Sequence, residues 1–322
     1  MMNKTMSEKR QNEQIRQSAD RRSDTRQMNT KQPDTNTKRP NTKTTDNTQH
    51  NKKNGIVKVL LSLLIIGMLV CVVIIAMDIS RKKKAEDTYS DLQDRVNVTT
   101  QADGTGSVEP VADDTASTTE VDKLKELGIT IPDKNLDWDA LHAENADIYA
   151  WIYIPGTGID YPILQHPTEQ DYYLDHNLDG STGYPGCIYT QIRNSKDFTD
   201  FATILYGHNM KDGTMFQNLH DYEDKEFFDA NPYIYIYTPD KTFVYQIFAA
   251  VTFHDRNILL QYDMTVTGKR AGYINDIKAC NGMSDQHNDD VTVNTESRIV
   301  SLSTCIGASP DKRWIVSGVL LN

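Results

Sequence analysis

Three residues that are far apart in the sequence carry the side chains needed for covalent acyl transfer. Cys305 ends the segment Ser-Leu-Ser-Thr-Cys at 301–305, His208 comes much earlier in the chain, and Arg313 precedes the apolar run 314–321. A thiolate attacks carbonyl carbons well, and a nearby imidazole can accept or return a proton. A guanidinium stays charged and can stabilise an oxyanion or hold a peptide backbone. The three residue types therefore predict a nucleophile, a proton carrier and a fixed cation.

These candidates lie at the ends of segments with strand composition. A strand end fixes the backbone while its side chain reaches into a cleft. About eight short strands are predicted at irregular spacing, with few β-α-β alternations, so the pattern favours a closed antiparallel barrel or a sandwich with helical decorations. The predicted strands are 149–154, 159–164, 186–189, 202–206, 233–237, 242–253, 298–303 and 314–320, and the predicted helices are 121–127, 137–145 and 268–280.

The N-terminal part of the chain differs sharply in composition from the rest. Residues 1–55 contain no aromatic residue and have 13 Lys and Arg against 6 Asp and Glu. Such a segment cannot bury enough apolar surface to fold, so we expect a disordered, basic cytoplasmic tail. Val59 to Met77 is an uncharged run of 19 residues, long enough to cross a bilayer. Residues 56–78 are therefore predicted to be a transmembrane signal anchor.

The remaining boundaries follow from composition. Residues 79–120 are mostly polar and are predicted to be a flexible stalk, and 121–322 a folded catalytic domain. Basic residues flank the apolar run on both sides, at 52–58 and at 81–84, so the positive-inside rule is divided. We expect a single span with the N-terminus cytoplasmic and the domain extracellular, partly because of the functional interpretation below.

The cysteines do not suggest a disulfide framework or a structural zinc site. Cys71 lies in the apolar run, and Cys187, Cys280 and Cys305 follow it without any Cys-x-x-Cys pair. A Cys187–Cys280 bridge is possible in an exported domain, but two buried unpaired thiols are favoured. No metal and no cofactor are predicted, because the scattered acids lack a binding-loop pattern; these acids are Asp171, Asp175 and Asp179.

Two segments resemble a known family of enzymes. The segment Ser301-Leu302-Ser303-Thr304-Cys305, followed by Arg313 and an apolar strand, resembles the Thr-Leu-x-Thr-Cys signature of sortases. Segment 206–216 resembles the histidine segment of class B sortases, and 186–200 resembles the stretch leading into it. The similarity covers roughly residues 130–322. Ser301 departs conservatively from the family's usual Thr.

The resemblance implies a mainly β fold: a closed eight-stranded sortase-type barrel with N-terminal helices and a helix before the penultimate strand. It implies a membrane-anchored cysteine transpeptidase acting on surface proteins with a Leu-Pro-x-Thr-Gly or Asn-Pro-x-Thr sorting signal. Cys305 would form a thioester with the Thr carbonyl, and His208 would protonate the leaving amine. A cell-wall precursor or pilin amine would then resolve the thioester. Arg313 would hold the oxyanion or the peptide, and Ser303 and Thr304 would line the peptide groove.

Other interpretations remain open at this stage. A papain-like protease is disfavoured because here the histidine precedes the cysteine. A catalytically silent, membrane-anchored binding or scaffold ectodomain is the alternative from another class. Nucleic-acid binding by the basic tail is not predicted, because the tail lacks interleaved aromatic residues. The stripe Tyr233, Tyr235 and Tyr237 could line a peptide groove, although packing within the barrel is the favoured interpretation.

Overall fold

The computed structural model describes residues 48–97, 124–307 and 309–322, with side chains from residue 57. The chain divides into two compact units, 1–66 and 67–322. The described part of the first unit is the helical segment 48–66, and the second unit contains the β-barrel. Most of the predicted tail lies outside the described residues, but 48–55 are helical and differ from the disordered state expected there. Pro40 is the last proline before this segment, so no helix breaker separates 48–55 from the apolar run.

The first helix, α1 (Thr48–Asn97), contains the predicted membrane span. The apolar side chains from Val57 to Ile79 are exposed in the structure. By length and composition, this is the one helix within the described residues that could cross a membrane. It fits a single membrane anchor near the N-terminus.

The end of α1 is part of the folded domain, which differs from the flexible stalk expected over 79–120. Ala85, Tyr89, Leu92 and Val96 are buried. Their spacing of four, three and four residues places them on one helical face. Tyr89, Leu92 and Val96 join the hydrophobic cluster inside the barrel. Polar residues separate these four positions, so a composition count misses the stripe. Residues 98–120 of the predicted stalk lie largely outside the described ranges.

Nine strands form one sheet that closes on itself. Its order is β5-β1-β2-β3-β4-β8-β9-β6-β7, and β5 also pairs with β6, which closes an eight-stranded barrel with β7 attached to β6. The strands are β1 (Ile148–Tyr153), β2 (Asp160–Leu164), β3 (Ile188–Thr190), β4 (Ala202–Tyr206), β5 (Tyr233–Tyr237), β6 (Thr242–His254), β7 (Gln286–His287), β8 (Ile299–Ile306) and β9 (Ser309–Leu320). The predicted closed barrel is confirmed, and seven of its eight predicted strands were placed to within about three residues at each end.

Two pairings are parallel, so the barrel is mixed rather than antiparallel as the strand spacing suggested. β2 pairs with β3 in parallel, and β4 pairs with β8 in parallel. Both parallel pairs are joined by long connections, which parallel strands require. The β4–β8 connection contains β5, β6 and β7, so sequence neighbours are not sheet neighbours there. This connection brings the C-terminal ends of two distant strands to one edge.

Short helices decorate the barrel. α2 (Trp138–Glu144) is capped by Asp137, whose carboxylate accepts from the amide of Ala140. α3 (Lys225–Ala230) and α4 (Ile258–Gln261) are single turns, and α5 (Thr267–Lys278) is the helix predicted before the penultimate strand. Two 3-10 helices cover Tyr172–Leu174 and Gln217–Glu223.

The core has two layers. One cluster fills the barrel and includes the fully buried Trp151 and Trp314, and the other lies between the outer face of the sheet and α5. The tyrosine stripe on β5 serves packing, as favoured from the sequence. Tyr235 and Tyr237 are buried, and their hydroxyls donate to the carbonyls of Thr130 and Pro132.

Candidate active site

The three candidate residues lie at the same edge of three adjacent strands. Tyr206 of β4 and Ser303 of β8 are register partners in a parallel pair. His208 and Cys305 each lie two residues beyond that pair, so their backbones are neighbours at this edge. Cys305 is in turn the partner of Arg313 across the antiparallel β8–β9 pair. Because adjacent strands are about 4.8 Å apart, the barrel brings together residues that the sequence separates widely.

These side chains line one cleft of about 320 Å³. The β4 and β8 side of the cleft contributes His208 and Cys305, together with Ser303 and Thr304. The opposite wall is the segment that follows β6. The full lining is Asp171, Leu174, Gln191, Tyr206, Gly207, His208, His254, Asp255, Arg256, Asn257, Ile258, Ser303, Thr304, Cys305, Arg313 and Ile315.

Cys305 differs from the other cysteines of the barrel domain in its exposure. All four cysteines are free, and Cys305 is exposed in the cleft. Burial raises the pKa of the Cys187 thiol to about 12 and that of Cys280 to about 11. Cys187 contacts the Tyr89 hydroxyl, and Cys280 donates to the Asp276 carbonyl. Cys187 and Cys280 are thus unpaired, as favoured from the sequence, but only Cys187 is fully buried as expected, and Cys280 is partly exposed.

His208 has a defined ring orientation. Its Nε2 is 2.6 Å from the carbonyl oxygen of Leu174, and a carbonyl only accepts, so Nε2 carries a proton. The ring also meets Tyr184 edge-on, with centroids 4.9 Å apart. In the neutral imidazole, Nδ1 is therefore the nitrogen left to accept a proton. The residue before His208 is Gly207, and the backbone there lies close to the core. A Cβ at position 207 would lie 2.5 Å from Ile188 Cδ1 and 2.7 Å from the Phe216 ring.

Arg313 lines the cleft, but its guanidinium is bound to its own hairpin. Nη1 donates to the carbonyls of Pro310 and Lys312 at 3.0 and 2.8 Å. Both contacts are exposed backbone acceptors, which water can replace at little net cost. The guanidinium can thus exchange these partners for an anionic or carbonyl oxygen in the cleft.

The two predicted groove hydroxyls have different surroundings. Both Ser303 and Thr304 are buried and line the cleft. The Thr304 hydroxyl donates to the Gly207 carbonyl at 2.8 Å, which ties the end of β8 to the histidine segment. This hydroxyl therefore already has a structural partner.

Sequence reasoning missed several polar residues around the site. Asn209 and His220 both contact the Cys305 carbonyl oxygen, at 2.9 and 3.1 Å. His254 lines the opposite wall, where burial and then the charge of Arg256 lower its pKa. Its two ring nitrogens are buried and have no hydrogen-bond partner in the described structure. No spacing in the sequence points to His220 or His254, whose roles depend on contacts across the fold.

The scattered acids considered for metal binding are used as hydrogen-bond acceptors. Asp171 accepts from Tyr189 and Gln191, and Asp179 accepts from Ser181 and Lys84. Within residues 57–97, 124–307 and 309–322, no group of three or more His, Cys, Asp or Glu side chains is arranged to hold a metal ion.

An exposed thiol that shares one cleft with an imidazole and a guanidinium, on the rim of a closed barrel, fits acyl transfer through a cysteine. A family model described as the sortase domain matches residues 152–321. The chain is 35% identical over 161 residues to sortase B of Listeria monocytogenes, a match covering 50% of this chain and 63% of that protein. It is 30% identical over 181 residues to sortase B of Staphylococcus aureus, covering 56% of this chain and 72% of that protein.

A solved structure shows the same fold. A Streptococcus pyogenes class B sortase involved in pilus biogenesis matches with a TM-score of 0.50 and 30% identity, over 57% of this chain and 98% of that chain. This chain belongs to the sortase family and, within it, to class B. Members of this family are cysteine transpeptidases.

Proposed function

We propose that this protein is a membrane-anchored transpeptidase that cleaves a C-terminal sorting signal and transfers the protein to an amine. The observation that carries the proposal is the register of His208, Cys305 and Arg313 on β4, β8 and β9. The sorting signal is of the Leu-Pro-x-Thr-Gly or Asn-Pro-x-Thr type, by similarity to the family.

In the first half-reaction, the Cys305 thiol passes its proton to His208 Nδ1, and Sγ attacks the carbonyl carbon of the signal threonine. The tetrahedral intermediate collapses to a thioester as the peptide C–N bond breaks. The leaving amine needs a proton, and His208 supplies it from Nδ1. The Leu174 carbonyl holds Nε2, so the ring keeps Nδ1 as its exchanging nitrogen.

In the second half-reaction, an acceptor amine attacks the thioester. His208 Nδ1 takes the proton that the amine loses and the new amide bond forms. As the C–S bond breaks, Nδ1 returns this proton to Sγ, so Cys305 is released as the thiol. The imidazole thus ends the cycle in the state in which it began. Exclusion of water from the cleft would favour the amine over hydrolysis.

Arg313 supplies positive charge to the developing oxyanion or to the peptide backbone. To do so, it exchanges the Pro310 and Lys312 carbonyls for the substrate oxygen. Ser303 and Thr304 line the peptide groove, and the Thr304 hydroxyl acts mainly by holding Gly207.

We further propose a cytoplasmic N-terminal tail over 1–55, an anchor over 56–78 and an extracellular catalytic domain over 121–322. The segment 79–120 joins the anchor to the domain, and its residues 85–97 pack against the domain. The acceptor would be a cell-wall precursor amine or a pilin lysine. The S. pyogenes relative involved in pilus biogenesis supports the pilin alternative. In this arrangement the anchor keeps the enzyme beside membrane-bound precursors.

The test incubates the full-length protein in detergent with fluorescence-quenched sorting peptides, with and without an oligoglycine or lysine amine. Cys305→Ala is the matched negative control. Cleavage that requires Cys305 and yields a peptide–amine product would support the proposal and identify the signal. If no peptide is cleaved and the Cys305 thiol is also inert to iodoacetamide, the protein is a catalytically silent binding or scaffold ectodomain.

A further inference from the structure

We propose that His220, acting with Asn209 and Glu223, is a positioning residue that holds the backbone of the Cys305 nucleophile. The inference rests on the proposed function, because it assigns a role in the reaction of Cys305. His220 belongs to the 3-10 helix 217–223 and is a different residue from the proton carrier His208.

The contact replaces a missing stretch of β-sheet. β4 pairs with β8 as far as Tyr206 and Ser303, and the amide of Gly207 donates to the Ser303 carbonyl at 3.2 Å. In a strand, every second carbonyl points to the same neighbour, so the next acceptor on this side is the Cys305 carbonyl. The backbone that continues β4 does not reach the Cys305 carbonyl. Side chains do, because Asn209 Nδ2 lies 2.9 Å and His220 Nε2 lies 3.1 Å from that oxygen.

The orientation of the His220 ring is fixed from three sides. Nδ1 lies 2.7 Å from the Glu223 carboxylate, so it carries a proton. The ring stacks on Trp314 at 5.9 Å, with 21° between the planes. Trp314 is itself buried and donates from Nε1 to the Leu219 carbonyl at 2.6 Å. The ring therefore presents Nε2 to the end of β8 with little rotational freedom.

Nε2 has two neighbours of opposite hydrogen-bonding type. One is the Cys305 carbonyl, which only accepts, and the other is Asn209 Nδ2, a donor 3.0 Å away. Protonated His220 donates directly to the Cys305 carbonyl. Neutral His220 instead accepts from Asn209, whose second N–H donates to the same carbonyl. The carbonyl consequently keeps a donor in both protonation states of His220.

Holding this carbonyl fixes the peptide plane that follows the nucleophile. The peptide group is planar, so the direction of the Cys305 C=O determines the direction of the Ile306 N–H. The β8–β9 register is irregular between Cys305 and Ile306, so the opposite edge gives less support there. Orientation errors of about 1 Å at a reacting atom can reduce turnover about a hundredfold. Loss of both donors should therefore lower kcat more than it changes KM.

The titratable groups that contact His220 are few. Glu223 lies on the same 3-10 helix as His220. β8 contributes the Cys305 carbonyl, and β9 contributes the uncharged Trp314 ring. Asn209, from the segment after β4, is also uncharged. The pH dependence of this contact therefore follows mainly the charge on His220 itself.

The first test compares His220→Ala, Asn209→Ala and the double variant in the full-length protein, using the quenched sorting peptide that the wild type cleaves. In Asn209→Ala, the only remaining side-chain donor requires protonated His220, so kcat relative to wild type should fall about threefold or more once the pH is raised enough to remove that proton. In His220→Ala, Asn209 still donates, so the ratio should stay constant with pH. The double variant should lose about tenfold or more in kcat, with KM within about twofold.

A matched control is available in His287. Its Nε2 also lies 3.0 Å from the carbonyl of a cysteine, Cys280, but outside the cleft. His287→Ala should leave kcat and its pH profile unchanged. Combined with Asn209→Ala, His220→Gln should recover activity over the double alanine variant, because its amide can donate to the carbonyl. A pH-independent ratio for Asn209→Ala, or equal effects of the double alanine variant and His287→Ala, would overturn the proposal.

A second test does not need a cleavable peptide, so it separates this inference from the proposed function. The sequence Cys-Ile occurs at 187–188 and at 305–306. Labelling cysteine carbonyls with carbon-13 and isoleucine amides with nitrogen-15 therefore gives two observable peptide groups, one of them an internal reference. The Ile306 resonance should move as rising pH removes the proton from His220, and His220→Gln should reduce that movement while Ile188 stays fixed. Movement that is unaffected by His220→Gln would show that His220 does not hold the carbonyl, whether or not any peptide is cleaved.

Discussion

Tyr206 and Ser303 are register partners across the parallel β4–β8 pair, and this one pairing places His208 beside Cys305. Each residue lies two positions beyond its member of the pair, on strands whose neighbouring ends meet at the cleft. The relationship depends on β4 and β8 being parallel, because an antiparallel pair would place the two residues at opposite ends of the strands. The proposed proton carrier and the proposed nucleophile are thus aligned by backbone pairing.

His208→Ala should lower kcat for the cleaved sorting peptide by about 10²- to 10⁴-fold, because the leaving amine loses its proton donor. Steady-state kinetics with the full-length protein would measure this change. His142→Ala is the control, since His142 is exposed on α2 and contacts only the Trp138 ring among the described aromatic contacts. A His208→Ala enzyme that retains half of wild-type kcat would contradict the assigned role.

Thiol reactivity should distinguish Cys305 from the other cysteines of the domain. Burial raises the pKa of Cys187 to about 12 and of Cys280 to about 11, so both remain protonated thiols near neutral pH. Because the thiolate is the reactive form, iodoacetamide at about pH 8 should modify Cys305 first. A Cys71→Ser background removes the thiol in the apolar run. Peptide mass mapping over time would show the order, and modification of Cys187 before Cys305 would contradict it.

Gly207 should tolerate no side chain. A Cβ would meet Ile188 Cδ1 at 2.5 Å and the Phe216 ring at 2.7 Å, inside the packed core next to His208. Gly207→Ala should therefore reduce the free energy of unfolding by about 1–3 kcal/mol and lower activity through displacement of His208. Gly272→Ala in α5 is the control, because its Cβ would meet nothing within 4 Å and alanine favours a helix. Chemical denaturation of both variants measures the difference. Equal stability of the two variants would show that the core relaxes around the added methyl.

The cleft could be predicted largely from the sequence, while its supporting contacts could not. His208, Cys305 and Arg313 lie at the ends of strands as local composition predicts them, and the family resemblance links them. In the structure Arg313 lies inside β9, because that strand begins five residues before the predicted start. The parallel β4–β8 pairing is not visible in local patterns, because about ninety residues separate the two strands. His220 reaches Cys305 only through that long-range pairing, so no periodicity marks it. The stripe of Ala85, Tyr89, Leu92 and Val96 was detectable by helical spacing but is hidden by its polar composition.

That stripe predicts that the end of α1 stabilises the catalytic domain. Leu92 is 1% exposed, so Leu92→Ala should reduce the free energy of unfolding by about 2–4 kcal/mol. Asp91→Ala, one residue away on the exposed side of the helix, should change it by about 0.5 kcal/mol or less. Denaturation of the full-length protein in detergent, followed by tryptophan fluorescence, compares the two. Equal effects would show that residues 85–97 behave as a separate linker.

An ion pair also joins α1 to the segment that carries His208. Lys82 Nζ lies 2.7 Å from the Asp212 carboxylate, which is in the loop after His208. Burial opposes ionisation of Asp212, but hydrogen bonds from Lys82 and Thr214 outweigh it and lower its pKa to about 2. Because the pKa is lower in the folded state than the value of 3.8 for a free carboxyl, the pair stabilises the fold above about pH 4. That contribution is lost as the pH falls towards about 2.

Lys82→Met should therefore destabilise the protein by about 1 kcal/mol or less at neutral pH, since both partners are partly exposed and solvent screens the pair. The difference from wild type should shrink as the pH falls from about 4 to about 2, where Asp212 becomes protonated in the wild type as well. Lys225→Met is the matched control, because Lys225 and Asp229 form a more exposed pair within one helix. Unfolding midpoints across this pH range measure both variants. A Lys82→Met effect that is constant with pH would mean that Lys82 stabilises the domain through packing of its aliphatic chain and not through the charge of Asp212.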